Sequence, residues 1–328
     1  PRSAPPQIDP DVNLDIGHDG ALYVVDMYRA VIEHPDWMPA ELRQRPYQML
    51  GNDMGRIYRI VPQNFPAPPS RRSTNGRPQL TKASNEELVA HLAHPNTWWR
   101  ETAARLLFER QDKSVAPQLR ELALESKSQL ARIHALWLLH SLEQLSDVIL
   151  HQALQDTDPR VLEQATIIAG LRENSPKSLK KKVAALRRHP DARVRFQSLL
   201  ATRMLPGVPK FPADQWEVDA MLIASGNKAG QLLAEMLNSP DSIRKNIEQP
   251  VAFIASLARI AAASQDSTQH VAAVDALLGN PEYQRAGLNS FLTEFTRRGK
   301  SLEGLRSELP GNSWHGIEQT LSAARTTA

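Results

Sequence analysis

Leu92-Ala-His-Pro95, Leu124-Glu-Ser-Lys127, Asp156-Thr-Asp-Pro159 and Arg187-Arg-His-Pro190 decide the fold of this chain, because they recur along it. Their fourth residues stand at 95, 127, 159 and 190, so the steps are 32, 32 and 31. Five residues further on come Arg100, Arg132, Gln164 and Arg195. Eight further on come Ala103, Ala135, Ile167 and Ser198, and three beyond those Leu106, Leu138, Gly170 and Ala201. A fixed period of this length, carried by residues that suit helices, predicts a solenoid of stacked helix pairs. Each pair has an apolar face that only its neighbours can cover.

The first helix is predicted to start after Ser84, because Ser84-Asn-Glu-Glu87 has the spacing of a capping box. It stops before Pro95, and residues 98–110 form its partner, with Ala103, Leu106 and Leu107 on the apolar side. Later pairs are expected at 116–124 with 130–142, 145–154 with 159–171, and 179–188 with 192–204. Pro206-Gly-Val-Pro-Lys-Phe-Pro212 breaks the register. Helical patterns continue at 214–223, 228–237, 250–263, 269–278 and 281–298. Residues 83–205 therefore read as regular repeats, and 206–328 as degenerate repeats or a cap.

The N-terminal part has a different period. Val12, Leu14 and Ile16 alternate with polar residues, Gly17-His-Asp-Gly20 supplies a tight turn, and Ala21-Leu-Tyr-Val-Val25 is rich in β-formers. Gly55-Arg-Ile-Tyr-Arg-Ile-Val61 gives a third strand, ended by Pro62. Three short strands make one small antiparallel sheet, marginal by itself. Gln63 to Lys82 follows as a Pro-rich linker without periodicity. The fold class is thus mainly α, a HEAT-like solenoid preceded by a small antiparallel β segment.

Asp19-Gly-Ala-Leu-Tyr-Val-Val-Asp26-Met-Tyr-Arg29, Val31-Ile-Glu-His-Pro35 and Gly51-Asn-Asp-Met-Gly-Arg-Ile-Tyr-Arg-Ile-Val-Pro62 carry a resemblance. They look like the closing β-propeller blade of membrane-bound dehydrogenases of planctomycetes and verrucomicrobia, which are similar to soluble quinoprotein sugar dehydrogenases. In that family the propeller is followed by HEAT-type repeats and often by a c-type cytochrome domain. The resemblance implies that residues 1–62 are a terminal blade of a longer polypeptide. The chain begins with Pro1 and without a signal segment, which fits the same expectation. The parent would be periplasmic or extracellular. It would oxidise a sugar or alcohol and pass electrons to a quinone (PQQ-like) or haem c acceptor. This chain alone is expected to hold no cofactor and no complete site, and its own enzymatic status stays open.

Substrate contacts in such a family are expected from propeller loops. By position, His18, Asp26 and His34 are the candidates for a base, and Tyr28, Arg29 and Trp37 for a substrate- or cofactor-facing loop. No motif selects one catalytic residue among them. The excursion from Asp26 to Asp53 is long for a strand connection. It reads either as an ordered lid or as a loop packed on the first repeat. The recurrent Arg100, Arg132 and Arg195 resemble the inward arginine ladder of HEAT units, which hydrogen-bonds adjacent turns; phosphate binding is the alternative.

Composition narrows the chemistry. The chain has no cysteine, so it has no disulfide, thiolate zinc site, cysteine nucleophile or thioether haem attachment of its own. Asp9, Asp11, Asn13 and Asp15 alternate, but Leu14 and Gly20 stand where a calcium loop needs Gly and Glu, so no metal site is expected. His91 and His94 lack a third ligand, and His94-Pro95 recurs as His189-Pro190, which points to a turn. The net charge of 39 − 36 = +3 is too small to imply nucleic acid. The one dense charge run contains Lys180, Lys181, Lys182, Arg187 and Arg188. It reads as a solvated face, a dock for an acidic protein partner or, less well, a phosphate-backbone track. No apolar run is long enough for a transmembrane segment. Scaffolding within a propeller dehydrogenase, with the rest of the parent and a protein on the solenoid as partners, is the first functional expectation. A non-enzymatic HEAT-repeat binding module is the alternative, and nucleic-acid binding through 177–195 the third.

Overall fold

A computed structural model describes residues 13–27, 35–44, 51, 53–65, 78–172, 174–202, 214–238 and 240–326. It is mainly α with a small antiparallel sheet near the N-terminus. The chain forms two compact units, residues 1–145 and 146–328.

In the first unit, β1 (Asn13–Ile16), β2 (Leu22–Asp26) and β3 (Arg56–Ile60) pair antiparallel in that order. The turn between β1 and β2 closes with Gly17 N donating to Ala21 O at 2.9 Å and Gly20 N to Gly17 O at 2.8 Å. Gly20 has φ of +84°, which explains why glycine stands there. The Asp19 carboxylate accepts from Ala21 N, the Tyr23 hydroxyl and Arg59 Nε at 3.1, 3.1 and 2.8 Å, tying the turn to β2 and β3. Those bonds hold Asp19 below the usual carboxylate range against the opposing effect of desolvation. Tyr23 and Arg59 are direct cross-strand partners, so the network follows from the register.

The described part of the excursion after β2 is a single turn, Pro35–Trp37, and a short helix α1 (Ala40–Arg43). Arg43 donates to Met38 O and Asp36 O at 2.9 and 2.8 Å, closing this piece on itself over buried Met38. Two helix pairs follow: α2 (Asn85–His91) with α3 (Thr97–Arg110), and α4 (Ala116–Glu125) with α5 (Gln129–Ser141). Ser84 and Glu87 form the expected capping box at 3.2 and 2.7 Å. First helix packs on first, α2 on α4, and second on second, α3 on α5.

The second unit contains α6 (Asp147–Ala153), α7 (Pro159–Leu171), α8 (Lys177–Ala185), α9 (Ala192–Thr202), α10 (Gln215–Ser225) and α11 (Ala229–Leu237). It continues with α12 (Pro240–Asn246), α13 (Pro250–Ala262), α14 (Ser267–Leu278), α15 (Pro281–Arg297), α16 (Leu302–Glu308) and α17 (Gly311–Thr326). The pattern of stacking holds, α6 on α8 and α7 on α9. Its core runs from Leu199 to Ile317 and includes Phe253, Leu257, Tyr283, Phe291 and Phe295.

Two sequence expectations need correction. Periodicity does not reveal α12, α16 and α17. The first two are only seven residues long, and α17 contains Gly311 and Gly316. The second correction is the repeat register. Pro95 and Pro190 precede the helix cap, whereas Pro159 lies inside the first turn of α7, after the cap Asp158. The caps Asn96, Ser128, Asp158 and Asp191 are spaced by 32, 30 and 33 residues. In this register the residues seven past each cap are Ala103, Ala135, Ala165 and Ser198, all with no exposed surface. Ile167, aligned with them by sequence, is only half-buried.

Candidate functional site

The helix-entry turns share a construction that the sequence hides. The side chain two residues before the cap accepts a hydrogen bond from the cap's own backbone N–H. His94 Nδ1 accepts from Asn96 N at 3.0 Å, Ser126 Oγ from Ser128 N at 3.2 Å, Asp156 Oδ1 from Asp158 N at 2.8 Å, and His189 Nδ1 from Asp191 N at 3.1 Å. Ser264 Oγ does the same for Asp266 N at 3.1 Å, so α14 begins with a fifth such turn. The histidines at 94 and 189 are acceptors within a turn, which accounts for their recurrence.

The ladder arginines reach back to these turns. Arg100 Nη1 donates to His94 O and Pro95 O, both at 2.7 Å. Arg132 Nη1 donates to Ser126 O at 2.6 Å, and Arg195 Nη1 to His189 O and Pro190 O at 3.1 and 2.8 Å. Each therefore closes the entry of its own helix. Arg195 also pairs with Asp214 and Glu217, at the cap and first turn of α10, and these carboxylates hold its guanidinium more basic than usual. The corrected register puts Leu162 at the ladder position of α7 and His270 at that of α14.

Of the residues proposed from sequence as acid–base candidates, the two described ones lie apart. His18 sits in the β1–β2 turn and Asp26 ends β2, at the opposite end of that strand. Asp26 is buried, and Trp37 is 78% exposed. Tyr28, Arg29, His34, Asp9, Asp11 and Tyr47 lie outside the described residues. The structure instead gathers His18, His91, His94, Trp98 and Trp99 where the sheet meets α3. The His18 ring stands edge-on to Trp98 at 5.7 Å, and Trp99 lies against His91 and His94 at 5.0 and 5.4 Å. The His18 carbonyl accepts from Trp99 Nε1 at 2.9 Å and Asn96 Nδ2 at 3.1 Å. His91 is made less basic by burial and by neighbouring His94. No nucleophile–base pair is present in this cluster, and its polar contacts join turn to helix. Among the described residues no group of three His, Asp or Glu is placed to hold a metal ion.

The basic run supplies the second feature. Lys177, Lys180 and Lys181 are exposed on α8, Lys182 is half-buried there, and Arg187 and Arg188 lie in the following turn. None of these six forms an ion pair with a described carboxylate. Arg187 is half-buried; its Nη2 donates to the Thr202 hydroxyl, and its Nε is enclosed without a hydrogen-bond partner. Desolvation makes its guanidinium less basic than usual. A small cavity of about 60 Å³ beside it is lined by Arg172, Ser175, Lys180 and Thr202. Arg172 is paired there with Asp147 at 2.5 Å. Charge density was visible in the sequence. The burial of Arg187 was not, because it depends on Thr202, fifteen residues away.

Residues 2–64 match the family described as a domain of unknown function, DUF7133. The matched segment contains the three strands and the turn that α3 holds, and it ends before the helical pairs. No curated protein and no solved structure matches the chain. No described helix is long and apolar enough to cross a membrane.

Proposed function

We propose that this chain is the scaffold part of a propeller-type dehydrogenase that oxidises a sugar or alcohol. In this reading the sheet is the last blade of the catalytic domain, and the helical array is a docking platform for other domains or proteins. The observation that carries it is the pattern of exposed apolar side chains on the sheet. Leu14 and Ile60 share one face and are 58% and 52% exposed. Val25 and Ile57, paired directly on the other face, are 41% and 66% exposed. A free-standing sheet has one face solvated and polar. Apolar side chains open on both faces suit a sheet stacked between two others, as in a propeller. Meanwhile Asn96 and Trp99 fasten the hairpin turn to α3, so blade and first helix pair move as one piece.

The parent's periplasmic or extracellular location, quinone and haem c acceptors belong to the same proposal and rest on the sequence resemblance. Intact mass and visible absorption of the product purified from its native source test it. A product longer than these 328 residues, with c-type haem absorption and dye reduction by sugars or alcohols, is expected. A haem-free product of this length that oxidises none of them sinks the reading. The second reading, a non-enzymatic binding module, is favoured by the cations of α8 and its turn, which pair with no described carboxylate.

A further inference from the structure

We propose that the corner formed by α8, the turn 186–188 and α9 docks an acidic segment of a partner protein, with Arg187 as its anchor. Arg187 is the first reason. A guanidinium partly withdrawn from water, with an enclosed Nε and a single neutral hydroxyl on Nη2, has among the described residues no counter-charge of the kind that ordinarily accompanies such burial. A carboxylate from another molecule supplies it at Nη1, the nitrogen left over by the enclosed Nε and by Nη2 on Thr202. The hydroxyl that holds Arg187 belongs to Thr202, which lines the same small cavity as Lys180, so Thr202 links two cations that pair with no described carboxylate.

The helix gives the second reason. Lys177, Lys180 and Lys181 are three and four residues apart and share one exposed face, while Leu179 and Val183 are buried. Like charges at that spacing destabilise a helix, and α8 contains no acidic residue to offset them. The repulsion is relieved when an anionic partner binds.

The extent of the patch favours a protein over nucleic acid. A backbone track needs cations continuing along the surface. Here the sign reverses at the next helix, which begins with Asp214, Glu217 and Asp219, and Arg195 is already taken by two of these. Residues 177–188 have no aromatic side chain to stack on bases, and the one on α9, Phe196, stands edge-on to Trp216 of α10. An acidic segment beside neutral or basic residues complements both halves. This assignment rests on reading the helical array as a docking platform and not on the dehydrogenase activity.

The test is fluorescence anisotropy with the full chain and two labelled probes, an oligoglutamate peptide and a single-stranded oligothymidylate of equal charge. Oligoglutamate is expected to bind, more weakly as salt rises. Lys180→Glu with Lys181→Glu, both at exposed positions, is expected to abolish binding. Arg187→Met is expected to weaken it by about tenfold or more, and Lys245→Glu on α12 to leave it unchanged. Three results overturn the proposal: no binding of oligoglutamate, equal binding by the charge-reversed chain, or tighter binding of oligothymidylate. The last would identify a phosphate-backbone surface. Neither probe reports on oxidation, so failure here leaves the dehydrogenase reading standing, and failure of that reading leaves this binding result intact.

Discussion

His270 Nε2 lies 3.2 Å from the carbonyl oxygen of Ser264, six residues earlier. Arg100 and His94 have the same relationship, as do Arg132 and Ser126, and Arg195 and His189. A histidine thus stands at the position that arginine holds in the other turns, with Ser264 and Asp266 in the acceptor and cap positions. The histidine fits its surroundings. His270 is enclosed by the edges of Phe291 and Phe295 at 5.8 and 5.3 Å, and its Nδ1 meets Glu308 at 2.5 Å.

Replacing the ladder residues is therefore expected to cost stability in a set order. Arg100→Met removes its charged bonds to His94 O and Pro95 O, about 1.5–3 kcal/mol for each. Arg195→Met costs more, because it also strips the partner from Asp214 and Glu217. His270→Arg brings no gain, since the larger side chain overpacks a site with 1% exposure, at about 1–3 kcal/mol. Urea unfolding at constant m-value reads all three. Equal costs for Arg100→Met and Arg195→Met would show that the carboxylates of α10 add nothing.

What the sequence discloses follows from the range of the interactions involved. Alternation in β1 to β3 and the capping box at Ser84 are local, and both appear where expected. The repeat is also local, but prolines are poor guides to its phase, because Pro159 occupies the first turn of a helix while Pro95 and Pro190 precede theirs. The better marker is an acceptor side chain two residues before a cap, which finds Ser264 and Asp266 as well. Side-chain partners across helices are not legible. Arg187 and Arg195 belong to one charge run, yet among the described residues one pairs with no carboxylate and the other with two. Likewise the turn itself does not disclose that Asn96 and Trp99 hold the His18 carbonyl.

Close helix contacts give a second ordered series. A Cβ on Gly230 would lie 2.1 Å from the backbone oxygen of Gln269, on Gly170 2.8 Å from Ala201 Cβ, and on Gly316 2.8 Å from the end of the Leu278 side chain. Alanine gains about 0.5–1 kcal/mol over glycine within a helix. Overpacking costs about 1–3 kcal/mol where neighbours cannot yield. Gly230→Ala is expected to be the most destabilising, because backbone yields least. Gly170→Ala follows, and Gly316→Ala is close to neutral because a leucine rotamer can move. Thermal melts of the three variants give the ranking, and a neutral Gly230→Ala would mean that α11 and α14 separate readily.

The junction between sheet and helix is tested by exchange. Trp99→Phe keeps the ring contacts with His91 and His94 but removes the donor to the His18 carbonyl. With Asn96→Ala the carbonyl loses its second donor and α3 loses its cap. The double variant is expected to speed amide exchange at Gly17 and Gly20 while α4 and α5 stay protected. Unchanged exchange in the turn would show that the sheet is held by other contacts.

Glu294 sets an acid limit on the end of α15. Bonds from Arg297 and Arg298, at 2.7 to 2.9 Å, hold its carboxyl down to about 2, from an ordinary value of 4.5. Because the folded value lies below the unfolded one, the stabilisation is fully present above about pH 4.5 and is lost as pH falls towards about 2. Arg297 is 69% and Arg298 44% exposed, so water and salt screen both pairs and their contribution is small. Glu294→Gln should therefore be less stable than the native chain at neutral pH, with the difference closing on acidification through that window. Urea midpoints of both proteins across the pH range, at low and high salt, measure it. A difference that does not change with pH would mean that the loss comes from packing around this buried side chain and not from its charge.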